Sequence, residues 1–320
     1  MKMISVLDTS VCTRNVGDEI IMECVKSQLR DIFPRTMFLK VPTHERVTKI
    51  SSIKMRETEI GFVGGTNLLA FNMCYPINQW NIHLWNIKNF SNNDIVLMGV
   101  GSQNYGDKIN WYTKLLYKKV LTPKYLHSVR DSYTENMLKK MGINNVINTG
   151  CPTLWSLTEK HCENIPTRKS KNVICTFTDY RKDIDKDKEL AEILFKNYEN
   201  VYCWIQGSND FDYIKSISDK FILVDPHLEE YDRILESDID LDYVGTRLHA
   251  GIRAMQKGRR TIILSIDNRA REMGKDYNMN VLDRTDIDKL EKYIHSEFKT
   301  NIKLNIDNIN MWKNQFNKKE

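Results

Sequence analysis

The chain has 320 residues, 41% of them hydrophobic and 28% charged, with a formal net charge of +5. That balance fits a soluble globular protein long enough for two domains, and no run approaches the ~18 apolar residues of a membrane span. Lysine and arginine are spread along the chain, so the positive excess reads as a solvated surface or as one that meets anionic substrates, and nucleic-acid binding is disfavoured.

Short apolar runs alternate with helical periodicity from end to end, the signature of α/β architecture. Residues 1–8 end in an acid and read as a first strand (4–7) rather than a signal peptide. A helix is predicted at 19–33, with Ile20, Ile21, Cys24, Val25, Leu29 and Ile32 on one face and Asp18 as N-cap. A second strand follows at 37–41. Residues 60–66 and 95–103 each read as a buried strand running into a glycine turn. Trp80, Leu84 and Ile87 place a helix at 80–90 between them, making a βαβ unit. Next come a strand at 126–129, a helix opened by a Ser132/Glu135 capping box and closed by Gly142, and a strand at 146–148.

Residues 159–172 are polar, and the division predicted is a first domain at 1–160, a linker at 161–172 and a second domain at 173–320. The second half repeats the rhythm, with strands at 173–176, 201–205, 221–224, 261–264 and 281–282 and a short one ending before Gly245. Its helices are predicted at 186–197, 210–218 and 229–236, and from 286 the tail reads as helical and basic. Two doubly wound Rossmann-like halves facing a cleft are the expected architecture, and such sheets hold ligands outside the carboxyl ends of their strands. Cys12, Cys24, Cys74, Cys151, Cys162, Cys175 and Cys203 form no C-x-x-C pair and no zinc spacing, which predicts reduced thiols and an intracellular setting.

The informative motifs fall at predicted strand ends. Val244-Gly-Thr-Arg-Leu-His-Ala-Gly-Ile-Arg253 reads as a strand, a tight turn and a helix start with Thr246 as N-cap. Helix N-termini favour anions, and Arg247 and His249 add a guanidinium and an imidazole to an exposed opening turn, which suits an anion and a proton donor. The competing reading is a structural histidine. Leu248, Ile252 and Met255 form the buried stripe. Asn15-Val-Gly-Asp18 reads as a turn and cap, and its one glycine cannot make a phosphate loop.

Gly64-Gly-Thr-Asn67 and Gly99-Val-Gly-Ser-Gln103 admit close approach of a ligand or of another backbone, and neither completes G-x-G-x-x-G. Asn67 and Gln103 could hydrogen-bond sugar hydroxyls. Arg130 either pairs with Asp131 or Glu135 or meets an anion. Asp267 and Arg269 either pair with each other or join the neighbouring Arg247 turn.

In order, Asn15-x-Gly-Asp18, Gly64-Gly65 with Leu68-Leu69, Gly99-Val-Gly101-Ser-Gln103, Ser128-Val-Arg130-Asp131, Gly150-Cys-Pro152, Gly245-Thr-Arg-Leu-His249 and Asp267-Asn-Arg269 resemble the polysaccharide pyruvyl transferase family over most of the chain. The resemblance implies a GT-B-type pair of Rossmann domains, acceptor side first and donor side second. It implies transfer of a pyruvyl group from phosphoenolpyruvate to two hydroxyls of a sugar, giving a cyclic ketal, with no metal and no further cofactor. His249 would be the acid and Arg247 would share in catalysis. Arg130, Arg247, Leu248 and Arg269 would contact the donor, and Asn15, Asp18, Asn67 and Gln103 the acceptor.

The acceptor would belong to a surface polysaccharide, such as a capsule or cell-wall polymer, or to its precursor, lipid-linked or free. The enzyme would be cytoplasmic, with peripheral contact at the inner membrane face and homo-oligomer formation both left open. The family often carries Asp-Pro-Lys where this chain has Asp267-Asn-Arg269, and arginine keeps the charge without the geometry of lysine. The alternatives are a GT-B glycosyltransferase using a nucleotide sugar and a non-catalytic glycan-binding subunit.

Overall fold

The computed structural model describes residues 2–74, 78–90 and 93–317; Met1 and residues 318–320 of the predicted basic tail lie outside the described residues. The chain divides into two units, Met1–Thr13 with Ile21–Pro152 and Leu304–Glu320, and Arg14–Ile20 with Thr153–Lys303. This differs from the predicted division at 161–172. The polar stretch belongs to the second unit because it carries buried anchors: Cys162 and Ile165 are in the interior, and His161 Nε2 donates to the Met255 carbonyl at 2.8 Å.

The first unit runs β1 (Met3–Asp8), α1 (Gly17–Ile32), β2 (Met37–Pro42), α2 (Lys49–Met55), β3 (Ile60–Gly64), β4 (Asp94–Met98), α3 (Trp111–Val120), β5 (His127–Val129), α4 (Ser132–Lys140) and β6 (Val146–Asn148). The sheet has the order β2-β1-β3-β4, all parallel. β5 and β6 form a parallel pair, joined to the β4 side by a Val100–Val129 bridge. β3 is buried throughout, as expected of a parallel strand covered on both faces.

Three local expectations are corrected. α1 starts at Gly17, so Asp18 lies in its first turn and is not the cap. α4 is capped by Asp131, whose carboxylate accepts the Thr134 N–H at 2.7 Å, rather than by a Ser132/Glu135 box. The predicted helix at 80–90 is only a 3-10 turn at Ile87–Phe90. There the Asn86 carboxamide accepts the His83 N–H at 2.8 Å, and Asn89 Nδ2 donates to the Val47 carbonyl at 2.7 Å. Asparagine side chains that bond the backbone compete with helix formation.

His127 sits in the first unit's interior, its Nδ1 accepting the Leu97 N–H at 3.2 Å and its Nε2 donating to the Thr122 carbonyl at 2.9 Å. Both nitrogens are committed to the neutral form, and burial pushes the pKa down to about 4 against a hydrogen bond that favours charge. Between pH 4 and the free-histidine value of about 6.5, the unfolded chain therefore binds more protons than the folded one. Stability should be full above that window and fall by on the order of 3 kcal/mol as pH drops through it. Urea unfolding at pH 7 and pH 4.5, in wild type and His127→Asn, reads this; an acid loss of equal size in both would show that His127 is not its source.

The second unit runs α5 (Glu159–Cys162), β7 (Asn172–Cys175), α6 (Ile184–Asn197), β8 (Val201–Trp204), α7 (Asp210–Ile217), β9 (Ile222–Val224), α8 (Leu228–Leu235), β10 (Leu241–Gly245), α9 (Leu248–Gln256), β11 (Thr261–Ser265), α10 (Asn268–Tyr277), β12 (Val281–Asp283) and α11 (Leu290–His295). Its six parallel strands have the order β12-β11-β10-β7-β8-β9. The order reverses between β7 and β10, the switch point where such sheets open a crevice for ligands. α12 (Ile306–Asn314) returns to the first unit. Its buried Trp312 meets Phe62 edge-on at 6.0 Å, and Phe316 meets Phe62 at 5.2 Å. None of the seven cysteines forms a disulfide.

Candidate functional site

In the second unit, the turns after β7 and β10 meet at the switch point. Gly245 ends β10 against the β7 turn, where a Cβ would lie 2.6 Å from Thr176 Oγ1 and 2.7 Å from its backbone nitrogen. The Thr246 N–H donates to the Thr176 carbonyl at 3.0 Å, and Tyr243 OH to the Arg247 carbonyl at 2.8 Å. Gly251 lets α9 sit close, since a Cβ there would lie 2.6 Å from Ile263. Leu248, Ile252 and Met255 are buried as the spacing predicted. The helix starts one residue later than expected: Arg247 is the N-cap, and His249 is its second residue.

The opening turn is not exposed, since Arg247 and His249 keep only 4% and 6% of their surface accessible. Arg247 Nε donates to the Phe177 carbonyl at 3.0 Å. Its Nη2 donates to Asp179 at 3.0 Å and to Asp210 at 2.5 Å. Arg247 is therefore a buried cation matched by two carboxylates, not a bare anion clamp. Burial raises the Asp210 pKa, and the Arg247 guanidinium offsets this only in part. Asp179 is also partly buried, but Asn209 and Arg247 hold its carboxyl below the usual range.

Arg269 opens α10, whose N-cap is Asp267. Its Nε donates to Asp267 at 2.9 Å, and its Nη2 also meets Tyr180 OH. The Tyr180 ring thus has Arg247 at 5.1 Å and Arg269 at 5.9 Å from its centroid. The structure brings together two of the predicted donor arginines through a residue that the sequence reading did not single out. Tyr180, Asp179 and Asp210 lack a local motif; the available signal was that Tyr180 follows β7, the first strand of the second half.

Asn15 and Asp18 lie in the segment Arg14–Ile20, which groups with the second unit together with the start of α1, rather than with the first domain as expected. Asn15 Oδ1 accepts Gln206 Nε2 at 2.7 Å, and Asp18 is buried in the first turn of α1.

In the first unit, Arg130 is 1% exposed. Its Nε donates to Asp131 at 3.0 Å, and its Nη2 to the Ser102 carbonyl at 3.2 Å. Its Nη1 is buried without a partner. The guanidinium lies against Gly101, where a Cβ would fall 2.1 Å from Nε. Gly101→Ala should displace Arg130 and cost about 1–3 kcal/mol by overpacking, read as a lower urea midpoint; an unchanged midpoint would mean that the arginine moves freely.

The strand ends of this unit share a property. Thr9 Oγ1 after β1, Thr43 Oγ1 after β2, Asn67 Oδ1 after β3, Gln103 Nε2 after β4 and Arg130 Nη1 after β5 are all buried without partners. Native proteins leave few such groups, and a set gathered at strand ends calls for an explanation. Gly65 and Thr66 both hold φ of +54°, a left-handed conformation that is costly for a β-branched residue and collects at functional sites. The Gly101 N–H donates to the Thr66 carbonyl at 2.8 Å and the Gln103 N–H to the Leu69 carbonyl at 2.7 Å, so these loops are knitted together. Among the described residues, no cluster of His, Cys, Asp or Glu is arranged for a metal, and no helix is long and apolar enough to cross a membrane.

The family model for polysaccharide pyruvyl transferase matches residues 15–268. The chain belongs to the polysaccharide pyruvyl transferase family. For this transferase family member, the matched span takes in the Asn15 loop, the turns after β3, β4 and β5, the Arg247–His249 helix start and Asp267. No curated protein matches the chain.

Among solved structures, the chain is similar to the S. aureus MnaA–UDP co-structure, with 10% identity, a TM-score of 0.54, and coverage of 94% of this chain and 92% of that one. It is also similar to a putative UDP-N-acetylglucosamine 2-epimerase from Listeria monocytogenes, with 10% identity, a TM-score of 0.50, and coverage of 98% and 90%. At such identity the likeness is one of fold, the Rossmann-like GT-B type.

Proposed function

We propose that this protein transfers the pyruvyl group of phosphoenolpyruvate to two hydroxyls of one sugar in a surface polysaccharide or its precursor. The observation that carries the reading is the pairing of Arg247 and Arg269 about Tyr180 at the switch point, beside a helix whose second residue is His249. The donor's methylene carbon takes a proton, and the first hydroxyl adds to the carbon bearing the phosphate. The C–O bond to phosphate breaks, and the second hydroxyl closes the ketal. Of the two hydroxyl protons released, one balances the new methyl hydrogen and the other leaves with phosphate.

His249 is the proton source in this scheme. Arg269 supplies charge to the donor's phosphate or carboxylate. Arg247, already matched by Asp179 and Asp210, positions the Tyr180 turn, and Leu248 backs the turn from the core. In the first unit, Arg130 Nη1 offers an anion contact, and Asn67 and Gln103 offer unpartnered amide atoms to acceptor hydroxyls. Asn15 orders the turn that leads into α1, and Asp18 lies in the first turn of that helix.

The chemistry calls for no metal and no further cofactor. The reading places the protein in the cytoplasm, with a lipid-linked acceptor drawing it to the inner membrane face. The test is phosphate release from phosphoenolpyruvate with a panel of glycan acceptors, with the product mass read for the ketal. Glycosyl transfer from a UDP-sugar, with no use of phosphoenolpyruvate, would overturn the proposal.

A further inference from the structure

A cavity of about 430 Å³ lies in the second unit beyond the carboxyl ends of β8 and β9. Val16, Ile205, Phe211 and Pro226 form its apolar walls, and Gln206 is its most buried polar lining residue, only 4% exposed. The orientation of the Gln206 amide follows from its neighbours. Asn15 Oδ1 accepts the Gly17 backbone N–H at 3.2 Å, which identifies that atom as oxygen. The Gln206 atom facing it at 2.7 Å must then be the NH₂ group. Gln206 Oε1 is left as the other end of the amide, buried and without a partner. A buried acceptor in this state costs stability unless something donates to it.

The remaining features narrow the ligand. The lining carries one base, Arg14, and one acid, Asp225, so the cavity has no net charge. The N-terminus of α7 beside it is not an anion site. Asp210 Oδ2 already accepts the Gly207 N–H at 2.7 Å and the Gln206 N–H at 3.3 Å, and Asp212 adds a second acid to that turn. Phe211 holds its ring 45% exposed on the cavity wall. The complementary ligand is neutral, donates hydrogen bonds on one edge and presents an apolar face to an aromatic ring. A sugar residue has that shape: its hydroxyls suit Gln206 Oε1 and Asp225, and its C–H face suits Phe211.

We propose that this cavity is a glycosyl subsite for a neutral sugar residue of the acceptor glycan. The proposal rests on the reading that the acceptor is a glycan. Asp210 links the subsite to the arginine cluster, since its Oδ1 accepts from Arg247 while its Oδ2 holds the Gln206–Gly207 turn.

The test is saturation-transfer NMR on the full chain without phosphoenolpyruvate, using methyl glycosides of hexoses and N-acetylhexosamines with uridine as comparison. Wild type should bind at least one glycoside saturably. Phe211→Ala should weaken it about fivefold to tenfold, the scale of a lost aromatic contact, and Phe211→Trp should retain it. Phe211 is exposed, so the variants should fold, and thermal unfolding checks this. The proposal fails if no glycoside binds, if Phe211→Ala binds as wild type does, or if uridine alone binds and loses affinity in Phe211→Ala. Because binding is read without the donor, failure of pyruvyl transfer leaves this result standing, and failure of the subsite leaves phosphate release from phosphoenolpyruvate untouched.

Discussion

Replacing Arg247 with methionine is expected to destabilise the second unit by about 3–5 kcal/mol at neutral pH, the cost of leaving a buried ion pair with one partner removed. The carboxylates left behind are Asp179 and the fully buried Asp210. The pH dependence should identify the cause. Asp210 already has a raised pKa, and losing the guanidinium removes the group that holds it down. A carboxyl whose folded pKa lies above its unfolded one destabilises the fold as pH rises. The methionine variant should therefore lose most against wild type at pH 7 and less near pH 5. Arg247→Lys should recover part of the loss, because lysine restores charge but cannot span Phe177 O and two carboxylates with a planar fork. Paired urea titrations measure this; a loss below about 1 kcal/mol at pH 7 would mean that the cluster does not hold the turn.

The largest effect on turnover is expected from His249→Gln. A positioned general acid contributes roughly 10²–10⁴-fold, so phosphate release from phosphoenolpyruvate should fall by that order. Glutamine keeps a comparable volume and polar atoms within the helix, and donor binding, read by ligand-induced thermal stabilisation, should persist. A variant with near wild-type turnover would remove His249 from the chemistry and return it to a structural role.

Much of this architecture is legible in the residues because parallel strands and glycine turns leave local signals. Residues 60–66 read as a strand from an apolar run closed by glycines, and a short strand is expected before Gly245; Ile60–Gly64 and Leu241–Gly245 are both buried throughout. Gly245 and Gly101 are marked by position alone, and each proves to lie where a Cβ would strike a neighbour. The surroundings of the site were not legible, because Arg247 meets Asp179 across 68 positions and Asp210 across 37. No spacing rule joins such residues. The polar composition of 159–172 concealed its anchors, Cys162 and Ile165. The basic tail likewise concealed Ile309 and Trp312, an i, i+3 pair facing the first unit's interior. The helical spacing of Trp80, Leu84 and Ile87 lost to asparagines that bond the backbone directly.

The return of α12 to the first unit sets the order in which the protein can be completed. Phe62 receives Trp312 and Phe316 as neighbours beside Phe33, so its aromatic cluster is incomplete until residues beyond 303 have left the ribosome. The intervening stretch, Thr153–Lys303, takes about 8 to 30 seconds to synthesise at roughly 5–20 residues per second. Throughout that interval the nascent first unit lacks Trp312 and Phe316, and at its end the second unit has all of its own residues. The half made first is the half finished last.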